Sequence, residues 1–264
     1  MMSNNDFNKQ YGPAAVVTGA SSGIGKSFAK LLASKGLDLV LVARRVERLE
    51  QLATQLRAEH GIQVTVCQTD LASPAAAQQI LDACADMDVG LLVSNAGFGL
   101  KGAYTSGEES VMTDMLMVNC NTPMLLARGF VPRLKARGKG GIILTSSVEG
   151  LMGCPYSAVY SASKGFVINL GEALWGELSA EGIDVLTLCP GATDTEAAAL
   201  QGIDPKTMTN VMSPDEVAAL TIDNIKNGPT FISSEHYQKT FDMLLSMPRR
   251  DALMAMAKSM KPSA

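Results

Sequence analysis

The sequence predicts a single doubly wound α/β domain with a central parallel sheet and helices on both faces. Three observations carry this expectation. Short apolar runs alternate with longer amphipathic stretches along most of the 264 residues. The runs are apolar at nearly every position, as strands covered on both faces are. No linker-like change of composition and no internal repeat interrupts residues 12–233, a length that suits one large α/β domain. Residues 1–11 read as a flexible N-terminus and residues 234–264 as a helical C-terminal extension.

Taken in order, the runs Ala14–Thr18, Leu37–Val42, Gln63–Gln68, Gly90–Ser94, Gly141–Ser146, Ile183–Cys189 and Thr230–Ser233 are the expected strands. The intervening patterns Ile24–Lys35, Arg45–His60, Pro74–Asp86, Glu108–Arg137, Ala158–Glu181 and about Pro214–Asn227 are the expected helices. Regular alternation of the two implies right-handed crossovers between parallel strands.

Bulk properties narrow the function. The chain is 47% hydrophobic and 18% charged, enough for a sizeable core. A formal charge of -4 offers no attraction to nucleic acid. The five cysteines (Cys67, Cys84, Cys120, Cys154, Cys189) are scattered and form no C-x-x-C pair, which fits reduced cytosolic thiols. The only histidines, His60 and His236, are far apart, so no metal site is expected. The polar N-terminal dozen residues lack the apolar core of a signal peptide, and no apolar stretch is long enough to span a bilayer. A cytoplasmic, soluble enzyme is expected.

The segment Thr18–Gly25 (TGASSGIG) sits where the first strand meets the first helix. Gly19, Gly23 and Gly25 permit a tight turn and close backbone approach, and Ser21, Ser22 and Ile24 complete the loop. A helix N-terminus there presents free N–H groups to a pyrophosphate. Its place after a strand and before an amphipathic helix separates it from an ordinary glycine-rich turn. The second strand ends in Leu41–Arg45 (LVARR), without the carboxylate that would accept adenosine ribose hydroxyls. Arg44 and Arg45 follow Ala43, and guanidinium forks suit phosphate oxygens, so the pattern favours NADP(H) over NAD(H).

In YSASK, Tyr160 and Lys164 stand four apart on an expected helix and share a face. A phenol titrates near a pKa of about 10 and a neighbouring cation lowers that value; a shift of ~3 units takes roughly 4 kcal/mol. Ser146 and Ser147 end the expected strand that starts at Gly141, at the sheet edge where ligands of open α/β sheets sit.

TGASSGIG, Asp70-Leu71, SNAG (Ser94–Gly97), Asn119, Ser147, YSASK and Pro190-Gly191 occur in the order of the short-chain dehydrogenase/reductase family. The chain resembles its short, single-domain branch over about residues 12–233, which implies a Rossmann-type fold. The resemblance implies that Tyr160 is the general acid/base, that Lys164 lowers its pKa and binds the nicotinamide ribose, and that Ser147 polarises the carbonyl. Asn119 would hold a water of a proton relay. Asp70 and Leu71 would contact adenine. Asn95, with Ala96 and Gly97, would brace the sheet beside the cofactor, and Pro190, Gly191, Thr193 and Thr195 would embrace the carboxamide.

Three positions depart from the family pattern: Ser94 where Asn is commoner, Thr122 for a usual glycine, and Glu149 where a small residue is usual. Glu149 either points to solvent or faces the substrate and selects a polar or cationic group. Leu151–Ser157 and Thr193–Ser213 should wall the substrate pocket, with Ser147, Glu149, Met152, Cys154, Tyr156 and Leu200 as its residues and Thr193–Met208 as a lid. These walls suggest a mainly apolar carbonyl compound: a ring ketone, a steroid-like ketone, a 3-oxoacyl chain or an aromatic ketone. Equally, Met and Leu here would only pack the loop down.

Phe241–Met247 and Leu253–Met260 show helical periodicity and many methionines. Core or subunit packing is the favoured role, peripheral membrane contact the alternative. The family resemblance implies a homodimer or homotetramer built on the two long helices. The leading function is reversible NADPH-dependent carbonyl reduction. An NAD-dependent alcohol dehydrogenase and a cofactor-sensing binding module are the competing readings.

Overall fold

The computed structural model describes residues 2–200 and 208–261. Seven strands form the centre: β1 (Ala14–Thr18), β2 (Asp38–Ala43), β3 (Val64–Gln68), β4 (Val89–Ser94), β5 (Gly140–Thr145), β6 (Ile183–Cys189) and β7 (Thr230–Ile232). They lie in the order β3-β2-β1-β4-β5-β6-β7, and every pairing is parallel. Strand order reverses between β1 and β4, which opens a crevice at their carboxyl ends. The expected strands match these within a residue at each end, because β1, β4 and β5 are buried throughout and so read as unbroken apolar runs.

The helices are α1 (Asn4–Tyr11), α2 (Gly23–Ser34), α3 (Val46–His60), α4 (Ala76–Ala83), α5 (Glu109–Leu116), α6 (Thr122–Arg137), α7 (Ala158–Leu178), α8 (Glu196–Leu200), α9 (Pro214–Asp223), α10 (Glu235–Ser246) and α11 (Arg249–Met260). Two cores fill the two sides of the sheet. Phe28, Leu49, Leu56, Val217 and Ile222 on α2, α3 and α9 pack one face. Ile80, Leu126, Phe130 and Val167 on α4, α6 and α7 pack the other. Outside the second core, Met124, Phe166 and Trp175 remain exposed on α6 and α7. None of the described helices is long and apolar enough to cross a membrane.

Residues 1–11 were expected to be a flexible N-terminus, and here the structure corrects the reading. Ser3 caps α1 by accepting from the Asp6 backbone N–H at 3.1 Å. Phe7 and Tyr11, four apart on one face, are fully buried. The Tyr11 hydroxyl donates to Asp184 Oδ2 on β6 at 2.7 Å. Two apolar rings and one hydroxyl anchor a helix whose composition reads as polar.

The expected helix Glu108–Arg137 is interrupted. Between α5 and α6 the segment Met117–Asn121 widens into a π-helical turn, a feature that recurs at functional sites. Thr122, at the start of α6, donates its hydroxyl to Leu71 O at 2.9 Å, both buried. The hydroxyl that replaces the family glycine therefore ties α6 to the loop after β3.

The C-terminal extension builds a third core. Phe241, Leu244, Ala252 and Met256 of α10 and α11 are buried together with Val148, Met152, Cys154, Ile168 and Cys189. Two of those residues, Met152 and Cys154, had been expected to line the substrate pocket. They face the terminal helices instead and are closed to solvent, because an amphipathic helix pair needs an apolar surface to cover.

Candidate active site

The carboxyl ends of β1, β4, β5 and β6 gather nearly all the residues singled out above. At the end of β1, Gly19 (φ +70°) and Gly23 (φ +51°) turn the chain into α2, in the left-handed region that favours glycine. A Cβ on Gly25 would collide with Gly19 O. Ser22, the N-cap of α2, makes no side-chain capping bond, and no acid stands in the first turn. The first N–H groups of this helix are thus left for an anion. The loop fits a pyrophosphate on its own geometry.

Loop and sheet are braced together. Thr18 Oγ1 accepts from the backbone N–H groups of Asn95 (2.9 Å) and Ala96 (3.0 Å), and Asn95 Nδ2 donates to Thr18 O at 3.2 Å. Asp70 Oδ1 accepts from Ala72 N at 3.1 Å, fixing the turn after β3. Thr193, Asp194 and Met212 form a short ladder, with Asp194 N donating to Met212 O and Met212 N to Ala192 O. The Thr195 methyl lies against Gly23.

Arg45 folds across the phosphate loop. Its Nη2 donates to Ser22 Oγ (2.7 Å) and Ser21 Oγ (3.1 Å), and its Nη1 to Glu196 Oε2 (2.7 Å). Arg48 Nη1 donates to Glu196 Oε1 at 2.6 Å. Neither Arg48 nor Glu196 carried a motif that would have singled it out. Arg44 is exposed at the end of β2.

The second half of the site is buried and densely bonded. Asn119 lies in the π-helical turn, where Nδ2 donates to Phe98 O (2.9 Å) and Ser163 Oγ (3.0 Å) and Oδ1 accepts from Phe98 N (3.1 Å). The widened turn carries Asn119 in toward α7. Ser163 Oγ in turn donates to Tyr160 O at 2.7 Å. Lys164 Nζ donates to Thr145 O at 2.9 Å and stands 5.7 Å from the centre of the Tyr160 ring. Ser146 Oγ donates to Lys164 O at 2.7 Å, tying α7 to the end of β5. Ser147 Oγ accepts from Glu149 N at 3.2 Å, and its hydroxyl lies near enough to Tyr160 to act on the phenol. Asn119, Ser147, Tyr160 and Lys164, far apart in the chain, thereby converge.

Electrostatics there differ from the expectation. Burial pushes the Tyr160 phenol above its usual range and Glu149 adds to the rise, while the Ser147 hydroxyl opposes it. Lys164 was expected to lower the Tyr160 value; its ammonium donates to Thr145 O and stands 5.7 Å from the ring centre, and burial outweighs any lowering. Its own value is lowered to about 8 by burial.

Glu149 turns inward, beside the tyrosine. Lys101, a residue no motif announced, donates to Glu149 Oε1 at 2.5 Å and to Ser157 Oγ at 3.3 Å, and its Nζ lies 5.9 Å from the Tyr160 ring centre. Glu149 Oε2 is buried with no hydrogen-bond partner among the described residues. Tyr237 of α10 packs its ring on Gly191. Tyr156 adopts φ +60° in the loop before α7. Leu200 is exposed at the end of α8. Of the expected lid Thr193–Met208, residues 201–207 lie outside the described residues.

A family model described as short chain dehydrogenase matches residues 13–205. The chain is a short-chain dehydrogenase/reductase. Among relatives of this short-chain dehydrogenase, 7beta-hydroxysteroid dehydrogenase of Clostridium sardiniense is 29% identical over 254 residues, covering 96% of this chain and 97% of that one. Very-long-chain 3-oxoacyl-CoA reductase of Kluyveromyces lactis is 35% identical over 188 residues, covering 68% of this chain; the matched part spans 54% of that reductase's length. The solved short-chain dehydrogenase from Sphingobium yanoikuyae, in complex with NADPH, superimposes with a TM-score of 0.82 at 34% identity over 92% of this chain and 95% of that one. The short-chain dehydrogenase described here is accordingly an oxidoreductase of alcohol and ketone groups.

Proposed function

We propose that the chain is an NADPH-dependent carbonyl reductase that converts a bulky, mainly apolar ketone reversibly to a secondary alcohol. The observation that carries the reading is the convergence of Ser147, Tyr160, Lys164 and Asn119 at the sheet edge beside the glycine loop. The cofactor preference rests on Arg44 and Arg45 following Ala43, with no carboxylate at the end of β2. The NADPH complex of the Sphingobium yanoikuyae relative supports it. The substrate class is supported by two relatives whose names specify a hydroxysteroid and a 3-oxoacyl compound.

Bound NADPH would supply the hydride. Ser147 and Tyr160 lie side by side at the end of β5, where a carbonyl oxygen would take both hydroxyls as donors. The Tyr160 phenol is protonated at neutrality and would give that oxygen a proton, a transfer that burial alone opposes and a nearby cation favours. Lys164, still cationic below about 8, would stabilise the phenolate left behind. Asn119 would hold α7 and the Phe98 backbone in register. The Lys101–Glu149 pair would put a polar spot beside that centre, with Lys101 Nζ 5.9 Å from the centre of the Tyr160 ring.

The test is cofactor consumption by purified protein against ring ketones, 3-oxoacyl thioesters and aryl ketones. NADPH-linked turnover is expected with at least one class. In Tyr160→Phe, turnover should fall by roughly 10²–10⁴ while NADPH still binds. Near-normal turnover in that variant would overturn the assignment of the acid.

A further inference from the structure

The cluster on the phosphate loop contains a group that the proposed cofactor reading does not need. Glu196 places one carboxylate oxygen on Arg45 (2.7 Å) and the other on Arg48 (2.6 Å). Arg45 also bonds Ser21 and Ser22 of the loop itself. A carboxylate and a phosphate present the same paired oxygens to a guanidinium fork, so they compete for it. A cavity of about 600 Å³, lined in part by Ser21, Ser22, Arg48 and Glu196, opens beside the cluster.

We propose that Glu196 is an internal competitor for the cofactor's 2′-phosphate: its carboxylate occupies the guanidinium groups of Arg45 and Arg48 until that phosphate displaces it, and so sets the strength of the NADPH preference. The inference rests on the reading of Arg45 as a phosphate ligand. Two features make the exchange feasible. Both ion pairs are solvent-exposed, with side-chain exposures of 42–47%, and exposed pairs are weak and easily broken. The competitor is also always present in its charged form. Hydrogen bonds from Arg48 first, and then Arg45, hold its carboxyl at about 2. A 2′-hydroxyl, carrying no charge, has no means of displacing it. Glu196 therefore weakens binding of the phosphorylated cofactor and leaves the unphosphorylated one untouched.

The experiment compares calorimetric affinities of the wild type and Glu196→Gln for NADPH, NADH, 2′,5′-ADP and 5′-ADP, with thermal melts as the check on folding. Loss of two exposed pairs predicts a gain of roughly two- to thirtyfold for NADPH and 2′,5′-ADP, with NADH and 5′-ADP unchanged. Added salt should shrink the difference. Glu196→Ala is the second variant, expected to behave alike. Equal changes for all four ligands, or weaker binding of the 2′-phosphorylated pair, would overturn the inference. Failure of the cofactor reading looks different: a wild type indifferent to the 2′-phosphate that gains selectivity in Glu196→Gln would remove the reading and keep the competitor. A wild type that prefers NADPH by the same factor as Glu196→Gln would do the reverse.

Discussion

The two halves of the sheet edge are built on opposite principles. Around β1 and β2 the site consists of backbone N–H groups and exposed charges, with Arg45 and Glu196 side chains 42% and 45% exposed. Around β4, β5 and α7 it consists of buried polar side chains, with Asn119 at 1% and Lys164 at 3% exposure, each with named hydrogen-bond partners. Exposed ion pairs rearrange at little cost, whereas a buried polar network holds one geometry or fails. The first half is therefore the place to tune which ligand binds, and the second is the place to fix reacting atoms.

The largest effect that tests this contrast lies in the buried half. Lys164→Met should reduce turnover by roughly a hundredfold or more, and it also carries a stability signature. Burial lowers Lys164 from 10.5 in the unfolded chain to about 8 in the folded one. Between those values the unfolded chain holds more protons, so this group makes the fold more stable as pH rises from 8 to 10.5. The full swing is on the order of 3 kcal/mol. Chemical denaturation across that interval should show a shallower rise for Lys164→Met than for the wild type. Parallel curves would mean that the ammonium is not a buried charge.

A smaller effect belongs to the exposed half. Replacing Arg44 and Arg45 by Ala together should weaken NADPH by roughly ten- to hundredfold, the worth of charge-assisted bonds to a phosphate. NADH binding and melting temperature should stay near wild type. Equal losses for both cofactors would remove the distinction between a tunable and a fixed half.

The smallest effect is expected where a charge looks onto the buried half. Glu149 helps raise the Tyr160 phenol, and the charges beside that ring are Glu149, Lys101 and Lys164. Glu149→Gln should lower the tyrosine value and leave Lys101 as an unbalanced cation. The alkaline arm of the reductive rate profile should then move to lower pH, and the reverse oxidation should gain at neutrality. An unmoved profile would remove Glu149 from the charges that the phenol feels.

Legibility in the sequence follows the same divide between pattern and partner. The strands could be read because parallel strands buried on both faces, such as Ala14–Thr18 and Ile183–Cys189, leave no polar position to confuse them. The glycine loop and the Tyr160–Lys164 spacing could be read because backbone conformation and helical period are local. The π-helical turn at Asn119 could not, since residues 108–137 keep a helical pattern through it. Helix α1 hid behind polar composition, although Gly90 and Gly141, where added side chains would strike Tyr11, mark its docking place. Lys101, Arg48, Glu196 and Tyr237 went unseen because each acts through a partner distant in sequence. Met152 and Cys154 were misassigned for the same reason. Their apolar character was legible, but the helices that cover them lie some ninety residues onward.

That third core ties the chain's far end to its chemistry. Val148, next to Ser147, shares one small apolar cluster with Phe241, Leu244 and Met256. Small clusters at chain ends are where native proteins open first, below the threshold for global unfolding. When α10 and α11 detach, the serine loop loses its backing and Gly191 loses the ring of Tyr237, while the sheet stays whole. Heat or a protease acting on the last two helices would then silence the molecule while its spectroscopic signature still reports a folded protein.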